Sequence, residues 1–536
     1  MDTKKKSEKK RKYEMRKAIK DKHKQHRKDL YEKNFTRFGL DLRLPTTLLT
    51  LTILIVYFSY TYIFRDVVFQ QVADLKNLIV DNYRNIFIWT INASVLTLII
   101  FLFPKKLGNL KIGGIHAEPE FSRSSWYAML FSAGVGIGLL FYGVYEPLVH
   151  MSAPLYPNSE DTIRGITVAV FHWSLGGWGV YGICGLALSY YAFNKGLPLA
   201  PRSFLYPLIK EGIYGFAGDV FDAITIISSL FGLASSLGLG AMQINAGFKY
   251  LLGVEMNTTF QVCSIIFITF IATLSIVTGL KKGVKILSEV NVLFAVLLMM
   301  IIFFATPIGL TLSNIAKSMV TYVVDVIPTH AKLGSYDIEF LRNWSIFYWA
   351  WWCSWSIFVG MFVAKISKGR TVREFVIAVL AVPTIAVFLW FGVLGTAGQY
   401  IAELYPNSLG EMTASPEVTL YALNNYLFGN SAVRFLVNAL CLFLVFSFFI
   451  TSSDSGSLVV DGLASAGKLK APVTQKIFWA SMEGLLAIAI LVVGGQQALY
   501  YLQNSLIILG LLLAILLFLT LVLFIYQIVR DLKHLH

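Results

Sequence analysis

The residues with the most evident chemistry lie in one short stretch, residues 343–355, which contains five tryptophans in thirteen positions. The stretch belongs to an apolar run long enough to cross a bilayer. Ring faces held away from water attract cations, so this stretch favours a cation site. The alternative is an aromatic packing seam between helices. At helical spacing, six aromatic residues fall on one face: Trp344, Tyr348, Trp351, Trp355, Phe358 and Phe362.

A glycine run forms the second candidate site, with Gly134, Gly136 and Gly138 at every second position. Each glycine costs a helix roughly 1 kcal/mol relative to alanine, so the run predicts a break in a membrane-spanning helix. Unwound backbone in a membrane is tolerated only where protein or a water-filled cavity satisfies it, and such breaks bind substrates and ions in secondary transporters. Close helix packing through small residues is the alternative. No strand precedes the run, so it does not indicate a dinucleotide site.

Two other segments place polar or aromatic groups within apolar runs. Residues 172–181 combine a histidine, two tryptophans and a tyrosine with glycines. Residues 451–455 are five consecutive polar residues, which are costly in a membrane unless they bind something. The hydroxyls of Thr451 and Ser452, together with a backbone carbonyl, would suit a hard monovalent cation. The alternative is a helix end capped by Asp454.

These candidate sites must be positioned by helices that cross a membrane. Of 536 residues, 56% are hydrophobic and 14% charged, and apolar runs of about twenty residues recur along the chain. The continuous runs exclude a β-barrel and predict an all-α polytopic membrane protein. The N-terminus does not resemble a cleavable signal peptide, because a long charged tail precedes the first apolar run. All four cysteines lie in apolar runs, which predicts free, buried thiols.

The apolar runs predict twelve spans, an even number that places both termini on one side of the membrane. The basic residues of alternate loops indicate that this side is the cytoplasm, and we expect the protein to lie in the plasma membrane. The spans cover approximately residues 46–64, 85–104, 125–150, 162–192, 217–247, 257–279, 288–311, 343–365, 374–398, 431–453, 473–494 and 502–529.

The segments outside the spans are few. Residues 1–43 contain 17 Lys and Arg against 7 Asp and Glu, and much of the formal net charge of +14 lies there. This basic tail favours a cytoplasmic extension near anionic lipid over a nucleic-acid arm, with a solvated tail lacking a specific partner as the alternative. Residues 312–342 predict an amphipathic helix along the outer membrane face. Only residues 530–536 follow the last span.

At this point the residues resemble the betaine/carnitine/choline transporter family. The likeness rests on residues 343–352, with Ser345 where threonine is usual, and it covers roughly residues 40–530. Other matching motifs are the glycine run followed by Phe141-Tyr142-Gly143 and Glu146-Pro147, residues 172–181, residues 358–362, and residues 451–455.

The resemblance implies a leucine-transporter-like fold with 12 transmembrane helices. Two peripheral helices at residues 44–104 would precede two inverted five-helix repeats at residues 105–311 and 343–529. Many members of the family are homotrimers.

The resemblance also implies a site for a quaternary ammonium group. Such a cation has no hydrogen-bond donor, so ring faces are its natural partners. Phe358 would lie toward the gate, and Gly134, Gly136 and Gly138 would border the substrate. The aromatic box would consist of Trp173, Trp178, Tyr181, Trp351, Trp352 and Trp355.

Sodium-coupled members of the family imply a sodium site between the broken helix and span ten. The matching oxygens are the carbonyls of Ser132, Val135 and Phe448 and the hydroxyls of Thr451 and Ser452. A second site in such members uses hydroxyls one turn apart on span five. Here Ser229 matches, but Leu233 stands one turn on, and this departure puts the second sodium in doubt.

The resemblance places glycine betaine first among the substrates, because Gly138 leaves the site without an aspartate that would suit choline. Carnitine, proline betaine and choline follow. The coupling ion would be sodium, with a proton-coupled or ion-independent carrier as the alternative, and no cofactor is expected.

Other classes of membrane protein fit the sequence less well. No His, Asp and Glu residues within the spans show metal or acid–base spacing, so a membrane enzyme is not expected. No pore-lining repeat or selectivity loop indicates a channel, and no phosphate-binding loop indicates an ATP-driven pump.

Overall fold

The computed structural model describes residues 2–278, 280–468 and 472–533, and across these ranges the chain is helical with two isolated β-bridges. The α-helices are α1 (Asp2–Glu32), α2 (Leu44–Ile63), α3 (Arg65–Leu102), α4 (Lys105–Gly108), α5 (Arg123–Val135), α6 (Gly138–Tyr142), α7 (Tyr145–Val149), α8 (Asp161–Trp173), α9 (Leu175–Ser189), α10 (Tyr206–Ile209), α11 (Phe216–Leu252), α12 (Thr258–Thr278), α13 (Leu280–Ala305), α14 (Ile308–Lys332), α15 (Ile338–Phe340), α16 (Ile346–Ile366), α17 (Val372–Leu404), α18 (Ser408–Met412), α19 (Pro416–Leu427), α20 (Ser431–Ala464), α21 (Val473–Gly494) and α22 (Ala498–Lys533).

Eleven helices of the described chain are long and apolar enough to cross a membrane, which confirms a polytopic membrane protein. The number differs from the predicted twelve because predicted spans three and four are each interrupted, whereas α14 also meets the length and hydropathy required. Span three is divided among α5, α6 and α7, in agreement with the predicted break.

The interruption of span four is a difference from the prediction of one continuous helix. Helix α8 ends at Trp173 and α9 begins at Leu175, because Ser174 has φ −100° and ψ −123°, outside the helical region. The buried Ser174 hydroxyl instead lies 2.7 Å from the Tyr322 hydroxyl of α14. The break places Trp173 at the end of α8 and Trp178 and Tyr181 on α9, so the rings of one span are oriented by two separate helices.

Helix α16 is the central helix of the molecule, and its most apolar 18-residue window is completely buried. It packs against α9, α11, α22 and α3. In outer helices such as α12 and α13, only 22% of the residues in the apolar window are buried, as expected for helices that contact lipid. Three cysteines are buried as predicted, but Cys263 on α12 is exposed, since this helix lies at the periphery.

Helix α14 occupies the stretch predicted to be amphipathic. Several of its polar side chains face the protein: Asn314 bonds Thr396 of α17, and Tyr322 reaches Ser174. Its aliphatic residues Val323 and Ile327 are 69% and 77% exposed. The apolar face therefore points outward, which suits contact with lipid; a position along the outer membrane face stays a prediction.

The N-terminal basic segment is helical, and its described side chains contact the protein's own loops. The Lys20 ammonium donates to the Phe193 carbonyl at 2.6 Å, and the Tyr31 hydroxyl donates to the Gly467 carbonyl at 3.0 Å. His23 is buried edge-to-face against Tyr206, at 4.9 Å between ring centroids. Part of the tail thus docks on the loops that follow α9 and α20, and its contact with anionic lipid stays a prediction.

Candidate functional site

The break after α5 is built on Gly136, which has φ +49° and ψ −146°. Residues with a Cβ rarely adopt this conformation, so glycine is required here. The backbone leaves the helix at Val135 and re-enters it at Gly138. The predicted discontinuity of span three is therefore confirmed, and it lies among buried residues rather than at a helix end facing water.

The three glycines of the run each meet a different part of an aromatic cluster. A Cβ added at Gly134 would overlap the Trp178 ring, and one added at Gly138 would overlap the Trp173 ring. A Cβ at Gly136 would lie 3.5 Å from the Trp355 ring. Both interpretations of the run, backbone opening and close packing, thus apply to the same residues: the absent side chains let indole rings approach the broken backbone.

The aromatic face predicted on α16 is present as a continuous column. Tyr348 and Trp351 stack at 6.2 Å with an interplanar angle of 12°, and Trp355 stands edge-on to Trp351 at 6.2 Å. Phe358 extends the column, edge-on to Trp355 at 5.5 Å. Trp344 stacks on Tyr348 at the other end. The predicted helical face is therefore confirmed from Trp344 to Phe358, and Phe362, one turn further on, is only partly buried.

Four of the six predicted box residues surround one void. It is too narrow for a water molecule, so admission of a trimethylammonium group requires the rings to separate. Trp173 and Trp352 meet edge-to-face at 5.0 Å, and Trp178 and Tyr181 do so at 5.6 Å. All four rings are buried. The lining residues are Gly134, Trp173, Gly177, Trp178, Tyr181 and Trp352.

The other two predicted box residues border this void without lining it. Trp351 stacks on Trp352 at 5.3 Å and stands edge-on to Trp173 at 5.9 Å. Trp355 lies beside Gly136 and against Gly232 of α11. The six aromatic residues thus form one connected cluster, in which four rings line the void and Trp351 and Trp355 contact those rings or the glycine run.

A buried carboxylate, Glu146 of α7, holds this cluster in place, and the sequence did not assign it a role. Its Oε2 accepts hydrogen bonds from Trp173 Nε1 at 2.8 Å and from the Tyr348 hydroxyl at 2.6 Å. Its Oε1 lies 2.6 Å from His172 Nδ1. The His172 carbonyl in turn accepts from Trp352 Nε1 at 2.9 Å. The ring orientations of the box are therefore set by hydrogen bonds as well as by packing.

The expectation that no His and Glu residues would cluster inside the membrane is wrong. Glu146, His150 and His172 place ligand atoms within 4.8 Å of one another, and the four-residue spacing of Glu146 and His150 was the available signal. His172 belongs to a different helix, so sequence spacing could not bring it in. The 2.6 Å separation of Glu146 Oε1 and His172 Nδ1 is a hydrogen bond, shorter than two ligands on one metal ion would adopt, so the cluster is a hydrogen-bond network.

The hydroxyls of the predicted sodium site lie near the break in span three. Ser452 Oγ is 3.3 Å from the position of a Cβ added at Gly136. Thr451 Oγ1 donates to the Phe448 carbonyl at 3.0 Å and accepts from Asn291 Nδ2 at 3.1 Å. Asn291 was not predicted, although an amide inside an apolar span is itself a signal of a polar site.

The remaining predicted sodium ligands are Ser132 and Val135. Both belong to the last turns of α5, before the break. Their side chains lie outside the described part of the chain, and the role predicted for them is that of their carbonyls. Sodium binding by these five residues stays a prediction.

The predicted second sodium site has one of its two expected hydroxyls. Ser229 is buried on α11, and its hydroxyl has no hydrogen-bond partner among the described protein atoms. Leu233, one turn later, fills the space over Gly456 of α20 with a methyl group. A leucine offers no oxygen, so the arrangement provides one hydroxyl where the sodium-coupled pattern has two.

Comparison with known proteins identifies the family. The model of the betaine/carnitine/choline family of transporters matches residues 45–533. A glycine betaine/proline/choline/ectoine transporter of Vibrio parahaemolyticus is 40% identical over 446 residues, which are 82% of this chain and 78% of the relative. Glycine betaine transporter 1 of the same organism is also 40% identical over 446 residues, 80% of this chain and 82% of the relative. A glycine betaine transporter of Acinetobacter baylyi is 38% identical over 456 residues, 84% of this chain and 68% of the relative. The chain therefore belongs to the betaine/carnitine/choline transporter family, and it is a multi-pass membrane transporter rather than an enzyme.

Proposed function

We propose that this protein takes up a quaternary ammonium compatible solute, with glycine betaine as the first choice, by sodium-coupled secondary active transport. The observation that carries the proposal is the buried group of ring faces formed by Trp173, Trp178, Tyr181 and Trp352 beside Gly134. A trimethylammonium group keeps its charge at every pH and offers no hydrogen-bond donor. Among protein groups, aromatic faces in a water-free place are the best partners for it.

The absence of a negative charge at Gly138 is the basis for choosing a zwitterion, whose carboxylate such a charge would repel. Gly138 brings no charge to the site, and its backbone lies against Trp173 and Trp351. An aspartate there would repel a carboxylate and attract a substrate that carries only a positive charge. The relatives named as glycine betaine transporters support the same choice. Choline and carnitine are the alternatives, and the names of two relatives include choline.

Sodium coupling rests on the juxtaposition of α20 with the broken helix. Thr451 and Ser452 supply hydroxyls there, and carbonyls from Ser132, Val135 and Phe448 would complete a five-oxygen cage. Hard oxygen donors are what an alkali cation prefers. Because the cage would join two elements, sodium binding would stabilise one arrangement of α5 and α20, which is the coupling that a symporter requires. A proton-coupled or ion-independent carrier is the second candidate.

In this proposal the protein lies in a bacterial plasma membrane with both termini in the cytoplasm, and it transports its substrate by alternating access. The two inverted five-helix repeats would rearrange around the box, and three copies would assemble into a homotrimer. The rings of the box, now in contact, would separate to admit the ligand and close around it.

Tryptophan fluorescence of the purified protein in detergent tests the binding step. Glycine betaine should change the emission of the box tryptophans with saturation, and sodium should increase the apparent affinity while potassium should not. A change with choline but not with glycine betaine would refute the substrate choice. Saturable binding that is the same in sodium and potassium would refute the coupling ion.

A further inference from the structure

The carboxylate of Glu146 is enclosed by hydrogen-bond donors. Trp173 Nε1 is a donor only, at 2.8 Å, and the Tyr348 hydroxyl donates to the same oxygen at 2.6 Å. The second oxygen lies 2.6 Å from His172 Nδ1. Glu146 is completely buried, so its oxygens are shielded from bulk water. Hydrogen bonds accepted by both oxygens favour the ionised carboxylate and oppose the cost of burying its charge.

The histidines beside Glu146 are consistent with an unneutralised charge. His172 Nε2 lies 3.0 Å from the Ser345 hydroxyl; when that hydroxyl donates to Nε2, the single proton of a neutral imidazole is on Nδ1 and is donated to Glu146. His150 Nε2 lies 3.3 Å from Oε1, without hydrogen-bond geometry. Within the described residues, Glu146 has ion-pair contacts with these two histidines and with no lysine or arginine. With Glu146 ionised and both histidines neutral, the net charge of the cluster is negative.

This charge lies directly behind the box. Trp173 lines the void on one side and bonds Glu146 through its indole nitrogen on the other. Tyr348 stacks on Trp352, another lining residue, at 5.8 Å and bonds the same carboxylate oxygen. A hydrogen bond from a ring N–H or O–H to an anion pushes electron density into the ring, which strengthens the attraction of its face for a cation.

We propose that Glu146 is the counter-charge of the substrate's ammonium group and a specificity-determining residue of the transporter. It acts through the rings of Trp173 and Tyr348 without touching the substrate. The inference rests on the proposed function, since it concerns recognition at the same box. Glu146 selects for the positive charge of the head group, whereas the ring surfaces alone select for its shape.

Two ligands of the same shape separate charge from shape. Glycine betaine and 3,3-dimethylbutanoate differ only in a quaternary nitrogen that is replaced by carbon; choline and 3,3-dimethylbutan-1-ol form a second pair. Affinities for all four are measured by fluorescence titration on the purified parent and on Glu146→Gln. The variant is expected to lose roughly tenfold or more in affinity for both ammonium ligands, while the affinities for the carbon isosteres stay within about threefold or increase.

Two controls distinguish charge from fold. Glu403→Gln removes one carboxylate at an exposed site, and its ligand preferences should match those of the parent. Tyr348→Phe keeps the Glu146 charge but removes one of the two hydrogen bonds through which it acts, so its preference for ammonium over carbon should lie between those of the parent and of Glu146→Gln. If Glu146→Gln does not fold, an unchanged preference in Tyr348→Phe contradicts the proposal.

Failure of the proposed function and failure of the counter-charge give different results. If the parent binds no ammonium ligand, the proposed function fails. If the parent binds ammonium ligands and Glu146→Gln lowers affinity equally for ammonium and carbon ligands, Glu146 only orients the rings and the counter-charge is refuted.

Discussion

Replacement of Trp352 by leucine should weaken glycine betaine binding strongly. Trp352 lines the void, lies 5.0 Å from Trp173 between ring centroids, and is 3% exposed. A desolvated cation–π contact contributes about 2 kcal/mol, so its loss should raise the dissociation constant about thirtyfold. The change also leaves the His172 carbonyl without its donor from Trp352 Nε1, which lowers stability by about 1–3 kcal/mol.

The chain offers a matched control on the same helix. Trp349 is completely buried, but its ring packs on Phe171 and His330 and does not line the void. Trp349→Leu removes the same volume and should cost a comparable packing energy, below the roughly 3–5 kcal/mol of a tryptophan-to-alanine change. Its effect on affinity should stay within about threefold. Trp352→Phe keeps a ring face without the indole N–H and should lie between the parent and Trp352→Leu.

Titration of each variant with glycine betaine, alongside thermal unfolding in detergent, separates affinity from stability. The reasoning is refuted if Trp349→Leu and Trp352→Leu weaken binding equally, because the loss would then follow packing of α16 rather than the ring face.

Other predictions concern the ion, the substrate and the N-terminal helix. Thr451→Ala with Ser452→Ala should abolish sodium stimulation of uptake; stimulation equal to that of the parent would show that the ion binds elsewhere. A Cβ at Gly138 overlaps Trp173, so Gly138→Ala measures the steric loss alone. Compared with that variant, Gly138→Asp should favour choline over glycine betaine, because like charges 4 Å apart repel by roughly 4 kcal/mol at an effective dielectric near 20. Competition uptake assays measure this preference, and equal preferences in the two variants would contradict the charge argument. Burial lowers the pKa of His23 from 6.5 to about 4, so the contribution of His23 to docking of α1 is fully present above pH 6.5 and is lost as the pH falls toward 4. Hydrogen exchange of residues 17–32, corrected for its intrinsic pH dependence, should rise over that interval in the parent and not in His23→Leu; equal rises would exclude His23 as the cause.

Features that depend on local sequence were predictable. The break at Gly136 follows from three glycines in alternate positions, and the column from Tyr348 to Phe358 follows from helical spacing. Both rest on properties of a single segment. The convergence of Trp173 and Trp178 with Trp352 came from the family likeness, because no local pattern places α8, α9 and α16 together.

Features that depend on contacts between segments were not predictable. Glu146 and His172 are 26 residues apart and meet only because α7 packs on α8. The break at Ser174 is held by Tyr322, a residue 148 positions away. The basic segment suggested a solvated or lipid-facing tail, because its charges gave no indication of the loops on which Lys20 and Tyr31 dock.

The most direct test of the central claim is uptake of radiolabelled glycine betaine by the purified protein in liposomes, with sodium, proton and potassium gradients imposed one at a time. An inward sodium gradient should drive accumulation above equilibrium, and a proton gradient alone should not. Accumulation driven only by protons would contradict sodium coupling, and a failure to carry glycine betaine in any gradient while choline is accumulated would contradict the proposed substrate.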